Sequence, residues 1–561
     1  MTNSDIAAVL EQTADLIELT EGNPYRARAF QRAARTLQDL EEPASSHLAD
    51  GTLTDVDGIG DAMADHISDV VASGTFPLHD ELLNAVPPGL LDLLRVNGLG
   101  TKRTRRLWNE LGITSLDDLE AAADTGRIAS LDGFGQKTQQ NILDNVRRLR
   151  TYESKWRSAE AWSAVRPLLH ALRQHESVVR AEPTGPLRRA LEVVERVDLL
   201  VATEDPEAVT SWLGGTLPSS PDHTEEGLDA TLEEGLPLRV HFAPPQQFGT
   251  AWWSTTGAPA HCETLEQETA APANHSEEQD LYDAAGRTFV PPELREGRGE
   301  LDAAAAGTIP DLITTDDLVG CLHNHSTYSD GADSLRDMAA AAREKGFTYF
   351  GICDHSQSLQ IADGLSPAEV RQQQAEIEQL NAEYAENSLD FRIFSGIESD
   401  ILRDGSLDYE KEVLSRFDFV VASVHTGFSM TETEATDRIL QAVRNPFTRI
   451  LGHPTGRLLL SREGYPLDHA RVIAECAEED VAIELNANPY RLDLDWRWVR
   501  HATDRGVLIS INPDAHATDE IDYVRWGVAV ARKGWLTADQ CLNAKSRAEF
   551  SEWLDTASSV E

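Results

Sequence analysis

The chain has 561 residues, several times the length of a typical domain, so we predict a multidomain protein in which each domain buries its own core. Acidic residues outnumber basic residues 95 to 49, which gives a formal charge of -46. Because this excess is spread along the chain, it indicates a solvated, salt-adapted surface and excludes a protein that binds DNA through its net charge.

The five cysteines lie far apart and include no C-x-x-C pair, which predicts reduced thiols in the cores. The first residues lack the basic region of a signal peptide, and no run of about 18 apolar residues occurs. We therefore expect a cytoplasmic protein without a membrane partner.

Residues 1 to about 150 are predicted to be all-α, because apolar residues recur there at three- and four-residue spacing. One pattern occurs three times in this region, starting at Val56, Val96 and Leu131: an apolar residue, a polar residue, Gly-x-Gly, and then a helix. The glycines permit a tight turn whose backbone N-H groups point outward at a helix amino terminus, which suits a phosphate oxygen. A single copy would usually be only a turn that packs helices, and that alternative stays open.

The three copies resemble the helix-hairpin-helix motif of DNA-repair proteins. The resemblance implies phosphate contacts by the glycines, and basic residues follow the second and third hairpins. The implied DNA-binding residues are Gly58, Gly60, Gly98, Gly100, Lys102, Arg103, Gly133, Gly135 and Lys137. The resemblance also allows a monovalent cation at these hairpins.

From about residue 318, apolar runs alternate with helical segments, which predicts a parallel β/α barrel. Such barrels keep their sites at the carboxyl ends of the strands. Residues that commonly bind metals end nearly every run: His323, His325, Asp330, His355, Glu398, His425, His453, Asp514 and His516. A single histidine at a strand end is usually a packed side chain, but the complete set argues against that explanation. Imidazole and carboxylate without thiolate suit Mn²⁺, Zn²⁺ or Fe²⁺, and so many ligands imply two or three ions.

This order of ligands resembles the polymerase and histidinol phosphatase (PHP) domain, a metal-dependent phosphoesterase, over residues 318–561. One departure is Pro513, where that family commonly has threonine, which affects the approach of Asp514 rather than the ligand set. We expect Glu398, His323 and Asp514 to be the central catalytic residues, with Glu398 spanning two ions. Arg457 and Arg491 follow strand ends, and each is either a phosphate ligand or a surface arginine.

Taken together, the segments resemble a bacterial family X DNA polymerase with a carboxyl-terminal PHP domain. The expected fold is multidomain: an all-α helix-hairpin-helix region, an α+β nucleotidyltransferase-like palm with a thumb, and a distorted TIM-like PHP barrel. The implied domains are a helical domain at 1–80, a fingers-like domain at 81–150, a palm at 151–245, a thumb at 246–317 and the PHP domain at 318–561.

The palm departs from that family at its metal ligands. A polymerase of this type needs a D-x-D pair and a third aspartate, but these positions are Arg196, Asp198 and Pro237. Gly185, Arg188, Arg189 and Asp198 remain as residual palm residues. Because a guanidinium replaces a carboxylate, we expect no Mg²⁺ in the palm and no polymerase activity.

The resulting hypothesis is a DNA-repair phosphodiesterase, a 3′-to-5′ exonuclease by resemblance, which acts on gapped or 3′-ended duplex DNA as a monomer. Apurinic-site cleavage is a second activity that the resemblance allows. Two alternatives remain: an active family X polymerase with an exonuclease, and a phosphomonoesterase like histidinol phosphatase. The three hairpins disfavour the phosphatase, because a small-molecule enzyme has no use for them.

Overall fold

A computed structural model describes residues 1, 3–20, 24–38, 40, 43–56, 58–96, 98–225, 227–268 and 274–557. The chain forms two compact units, Met1–Ser154 and Lys155–Glu561. Among the described residues, no helix is both long and apolar enough to cross a membrane.

The smaller unit is helical, as the sequence predicts. Its helices are α1 (Asn3–Leu19), α2 (Pro24–Gln38), α3 (Ala44–Asp50), α4 (Asp61–Ser73), α5 (Pro77–Ala85), α6 (Gly89–Leu94), α7 (Thr101–Leu111), α8 (Leu116–Asp124) and α9 (Gln136–Glu153). Apolar faces form two cores, one around Phe30 and Phe76 and the other around Leu90 and Leu107. Helix α1 contributes to both cores, through Ile6 to the first and Leu16 to the second.

The larger unit begins with an α+β region. Its strands are β1 (Trp156–Arg157), β2 (Arg180–Thr184), β3 (Val193–Val194), β4 (Val197–Ala202), β5 (Asp222–Thr224), β6 (Gly227–Thr231) and β7 (Pro237–Ala243). Its helices are α10 (Ser158–Gln174), α11 (Gly185–Arg188), α12 (Pro206–Thr216), α13 (Phe248–Thr256), α14 (Pro259–Glu268), α15 (Glu278–Ala284) and α16 (Glu300–Ala306). The main sheet has the order β2-β4-β7-β6-β5, in which only β4 and β7 are parallel, while β1 and β3 form a separate antiparallel pair.

A seven-stranded parallel sheet forms the rest of this unit, with its strands in chain order. They are β8 (Gly320–Cys321), β9 (Tyr349–Ile352), β10 (Arg392–Asp400), β11 (Phe419–Ser423), β12 (Thr448–Leu451), β13 (Ala482–Asn486) and β14 (Ile509–Asn512). The helices are α17 (Leu335–Glu344), α18 (Pro367–Glu386), α19 (Lys411–Leu414), α20 (Glu432–Val443), α21 (His469–Glu478), α22 (Trp496–Thr503), α23 (Val524–Lys533) and α24 (Arg547–Ala557). This arrangement confirms the predicted β/α barrel.

The strands are buried on both faces, which explains why they appear in the sequence as short continuous apolar runs. Beyond the last hydrogen-bonded strand pairs, the segments after β8 and β14 meet. Asn324 and Ala515 form a parallel bridge, and the His325 N-H donates to the Ala515 carbonyl at 2.8 Å. These bonds nearly close the barrel and bring its first and last strand ends together.

Aromatic side chains fill the opposite end of the barrel, where the strands begin. Phe550 on α24 is 0% exposed and stacks on Tyr349, with ring centroids 4.9 Å apart. Its ring also meets Phe394 edge to face at 4.9 Å. The carboxyl-terminal helix therefore seals the apolar end of the barrel and leaves the other end for chemistry.

Replacing Phe550 with Ala is expected to lower the free energy of unfolding of the larger unit by about 3 to 5 kcal/mol, because it leaves a cavity in a packed core. Urea unfolding of the full chain, followed by tryptophan fluorescence, measures this change. The control is Glu552→Ala on the exposed side of the same helix, expected to cost about 0.5 kcal/mol or less. Equal effects of the two substitutions would contradict the sealing role of α24.

Candidate metal centre

Eight of the nine predicted metal ligands lie in or just after six of the seven barrel strands. His323 and His325 follow β8, His355 follows β9, Glu398 lies in β10, His425 follows β11, His453 follows β12, and Asp514 and His516 follow β14. Asp330 lies in the loop after β8. Because parallel strands end at one edge, the fold gathers all nine side chains at the same end of the barrel.

Glu398 lies at the centre of one group of imidazoles and is 1% exposed. Its Oε1 is 3.3 Å from His323 Nε2, 3.1 Å from His425 Nε2 and 3.0 Å from His453 Nε2. Its Oε2 is 2.9 Å from His355 Nδ1. Four imidazoles from four different strand ends therefore converge on one carboxylate.

The other two carboxylates complete adjoining groups. Asp330 Oδ1 lies 3.5 Å from His355 Nε2 and 3.4 Å from His516 Nε2. Asp514 Oδ1 lies 3.1 Å from His325 Nε2 and 3.6 Å from His323 Nε2. Three overlapping sets of residues result, and within each set the ligand atoms all lie within 4.8 Å of one another. The sets are His325, Asp330, His355 and His516; His323, His325 and Asp514; and His355, Glu398 and His425.

The donor atoms in this centre fit a set of divalent ions better than a hydrogen-bonded core. Among the described residues, both oxygens of Glu398, His323 Nε2, His425 Nε2 and His355 Nδ1 are buried without a hydrogen-bond partner. Unpaired buried polar atoms are rare in folded proteins because each costs free energy. Imidazole and carboxylate are ligands that Mn²⁺, Zn²⁺ and Fe²⁺ accept.

The electrostatics of the centre show a surplus of negative charge. Burial opposes a charged His355, but Glu398 and Asp330 outweigh burial and raise its pKa to about 10. Burial likewise opposes a charged His516, while Asp330 and Asp514 raise its pKa to about 9. The pKa of His325 falls to about 3 because of burial, followed by the charges of His516 and His355. The carboxylates thus attract cations.

A second layer of carboxylates, which the sequence analysis did not identify, orients the imidazoles. Glu484 on β13 is 0% exposed, and its Oε2 lies 2.5 Å from His323 Nδ1. Asp400 Oδ1 lies 2.6 Å from His425 Nδ1. A carboxylate on the second ring nitrogen fixes the tautomer of a metal-binding histidine. The only usable signal was a charged residue inside an otherwise apolar strand, as in VAIELN.

Two predicted ligands have strained backbones. His323 and Asp514 adopt φ values of 54° and 53°, a left-handed conformation that non-glycine residues seldom take. Both positions flank the contact that closes the barrel, between Asn324 and Ala515. Strain of this kind persists where the surrounding structure enforces it, often at functional sites.

The two predicted phosphate-binding arginines differ in their surroundings. Arg457 donates to Asp495 Oδ2 at 3.0 Å, to Glu192 Oε1 at 3.3 Å and to the Arg491 carbonyl at 3.0 Å. Its guanidinium is therefore engaged by protein acceptors. Arg491 Nε lies 3.4 Å from Asp514 Oδ2, so this arginine borders the metal centre.

In the smaller unit, the three glycine hairpins share one geometry. Gly58, Gly98 and Gly133 have φ values of 92°, 88° and 78°, which only glycine adopts readily. Each second glycine is the N-cap of the next helix: Gly60 for α4, Gly100 for α7 and Gly135 for α9. Glycine has no side chain with which to cap its helix, so the terminal N-H groups at these positions suit an external acceptor.

Basic side chains accompany the second and third hairpins. Lys102, Arg103 and Lys137 are exposed. Arg103 also donates to the Gly98 carbonyl at 2.8 Å, and Arg106 donates to the Asp132 carbonyl at 2.7 Å. The second hairpin is thereby tied to the third, while the first hairpin has Asp61 at the corresponding helix start.

The residual palm residues are held by internal contacts. Asp198 Oδ1 accepts from Arg196 Nε at 3.0 Å and lies 3.4 Å from His241 Nε2. A Cβ atom on Gly185 would lie 2.9 Å from Asp198 Oδ2. Arg188 donates to both oxygens of Glu278, at 2.8 and 2.6 Å. Arg189 donates to Glu296 Oε1 at 2.9 Å and to the Thr256 carbonyl at 2.6 Å.

Comparison with known proteins agrees with this architecture. Family models for a helix-hairpin-helix domain, a SAM-like helix-hairpin-helix tandem and a PHP domain match residues 1–76, 90–148 and 322–488. A "Probable phosphatase" of Syntrophotalea carbinolica is 29% identical over 30% of this chain and 65% of its own length. The DNA polymerase/3′-5′ exonuclease PolX of Bacillus subtilis (strain 168) is 34% identical over 99% of both chains. The chain therefore belongs to the family X DNA polymerases that carry a PHP domain.

Proposed function

We propose that the barrel is a metal-dependent 3′-to-5′ exonuclease and that the nine predicted ligands hold two or three divalent ions. The observation that carries this proposal is Glu398, a buried carboxylate whose two oxygens lack hydrogen-bond donors while four imidazoles surround it. A carboxylate with both oxygens available can span two cations. The three overlapping ligand sets support up to three ions.

In this proposal each part of the centre has a defined task. Bound ions would lower the pKa of a coordinated water and offset the negative charge of the phosphodiester. Glu484 and Asp400 hold His323 and His425 in one orientation through short contacts to the second ring nitrogen. Arg491, next to Asp514, is the arginine that we retain as a phosphate ligand.

The substrate class follows from the smaller unit. Three hairpins with similar backbone geometry present helix amino termini that begin at glycine, and such termini suit a DNA backbone. We therefore propose gapped or 3′-ended duplex DNA as the substrate, bound by a monomer in the cytoplasm. A small-molecule phosphatase would use the barrel alone, and the phosphatase relative covers only 30% of this chain.

We also propose that the palm, assigned to 151–245, and the thumb, assigned to 246–317, serve as a scaffold without polymerase activity. Asp198, Arg196 and Pro237 line one cavity of about 540 Å³. Asp198 is the carboxylate that remains there of the expected three, and Arg196 already neutralises it. Arg189, one of the residual palm residues, is 9% exposed and hydrogen-bonded to Glu296.

Replacing Glu398 with Gln is expected to reduce Mn²⁺-dependent DNA hydrolysis on the order of 10³-fold or more, because the amide cannot bridge cations. The measurement is shortening of a 5′-labelled gapped duplex, with bound Mn²⁺ quantified on the same samples. Exposed Glu344→Gln is the control and should match the unmodified chain in both assays. Full Mn²⁺-dependent activity in the Glu398 variant would refute the role of this carboxylate.

Metal binding is expected to release protons. The carboxylates hold the pKa of His355 at about 10 and that of His516 at about 9 in the metal-free chain, so both are protonated at neutral pH. Each must lose a proton before it can bind an ion, and Mn²⁺ affinity should therefore rise from about pH 6 to about pH 9. Titration calorimetry in buffers of different ionisation enthalpy counts the protons released. A pH-independent affinity would count against these two ligands.

Primer extension is expected to be undetectable with Mg²⁺ or Mn²⁺, even when His323→Ala has removed the exonuclease background. The reason is that one neutralised carboxylate cannot offset two divalent ions beside a triphosphate. The assay uses a template-primer with all four dNTPs and an active family X polymerase as positive control. Template-dependent extension that disappears on adding Asp198→Ala would show that the palm is active.

A further inference from the structure

Tyr490 is a half-exposed aromatic side chain beside the metal centre. It lies in the loop after β13, and the residue is 50% exposed. The next residue, Arg491, places Nε 3.4 Å from Asp514 Oδ2. Consecutive Cα atoms are about 3.8 Å apart, so the Tyr490 backbone adjoins a residue that borders the centre, at the end of the barrel where the ligands lie.

The backbone around Tyr490 is fixed. Its N-H donates to Asn488 Oδ1 at 3.0 Å, and its carbonyl accepts from the Leu459 N-H at 2.7 Å. The Arg491 N-H donates to the Asn488 carbonyl at 2.8 Å, and Asn486 pairs with Asp493 across the loop. The ring is thus presented by a rigid loop, so little conformational entropy is lost when a ligand packs on it.

An arginine packs on this ring. The guanidinium carbon of Arg157 lies 4.2 Å from the ring centroid of Tyr490. Arg157 Nε also donates to the Leu459 carbonyl at 3.3 Å, which holds the arginine beside the loop. Arg157 also forms an ion pair with Glu160. One guanidinium therefore packs on a half-exposed ring, and a second arginine, Arg491, is the next residue in the chain.

An aromatic ring with adjacent arginines is the combination that binds single-stranded nucleic acid, because the ring stacks on a base and the arginines attract phosphate. Packing against Arg157 leaves about half of the residue exposed, so part of the ring remains available to a ligand. A phosphatase for small phosphomonoesters would not require a stacking ring at its mouth.

We propose that Tyr490 is the stacking platform for the 3′-terminal nucleobase, so that the centre selects a nucleotide end over a bare phosphoester. This proposal rests on the proposed exonuclease function and specifies its substrate recognition. Arg157 supports the ring from the amino-terminal region of the same unit, which gives that region a part in substrate binding. Arg491 lies between the stacked base and the metal centre.

The test compares two 5′-labelled gapped duplexes with Mn²⁺, one whose labelled strand ends in a normal 3′ nucleotide and one whose labelled strand ends in an abasic tetrahydrofuran residue. Tyr490→Ala is expected to lower kcat/KM for the normal end on the order of tenfold more than for the abasic end. Tyr490→Phe and Tyr490→Trp should keep the preference for a base, because each retains a ring. Ile361→Ala, which removes a 94% exposed apolar side chain from the loop after β9, is the matched control and should keep it as well.

The possible failures are distinguishable. If the unmodified chain cleaves both ends but Tyr490→Ala lowers both rates equally, or neither, the stacking role is wrong while the exonuclease stands. Loss of base preference in Tyr490→Phe would also overturn stacking, since it would assign the effect to the hydroxyl group. If the unmodified chain cleaves neither end, the exonuclease proposal fails, and the role of Tyr490 fails with it.

Discussion

The surplus of buried negative charge around Glu398 is the constraint on which the barrel depends. A carboxylate that is 1% exposed and lacks hydrogen-bond donors is costly unless cations compensate it. In the metal-free chain, protonated imidazoles supply part of that compensation, as the raised pKa values of His355 and His516 show. The near-closure of the barrel between Asn324 and Ala515 brings the first and last ligands together, and His323 and Asp514, which precede these two residues, have left-handed backbones.

The acidic composition and the proposed DNA substrate are reconciled by local charge. A chain of formal charge -46 repels a phosphate backbone at long range, but screening limits this repulsion to about 10 Å at 0.1 M salt. Within that distance, the hairpins offer backbone N-H groups and exposed Lys102 and Lys137. At the barrel, the guanidinium groups of Arg157 and Arg491 have the same proposed role. The proposed affinity for DNA therefore depends on local contacts with phosphate and not on the net charge of the chain.

Features that repeat or alternate along the chain could be predicted, and features that depend on tertiary pairing could not. Polar residues at the ends of apolar runs predicted the ligand set, because parallel strands end at one edge. The role of Glu484 was missed, since its partner His323 is 161 residues away. From the sequence, Arg457 was as good a candidate phosphate ligand as Arg491, but in the fold it forms ion pairs with Asp495 and Glu192. The spacing of the palm residues did not predict the ion pair between Arg189 and Glu296.

Anomalous diffraction from crystals grown with Mn²⁺ tests the central claim most directly, because it locates each ion without an assumption about activity. If the buried charge around Glu398 exists to hold a cluster, the map should contain two or three peaks among the nine side chains, two of them adjacent to Glu398. A map without a peak beside Glu398, from crystals in which the barrel is intact, would contradict the claim that this carboxylate is the core of a metal centre.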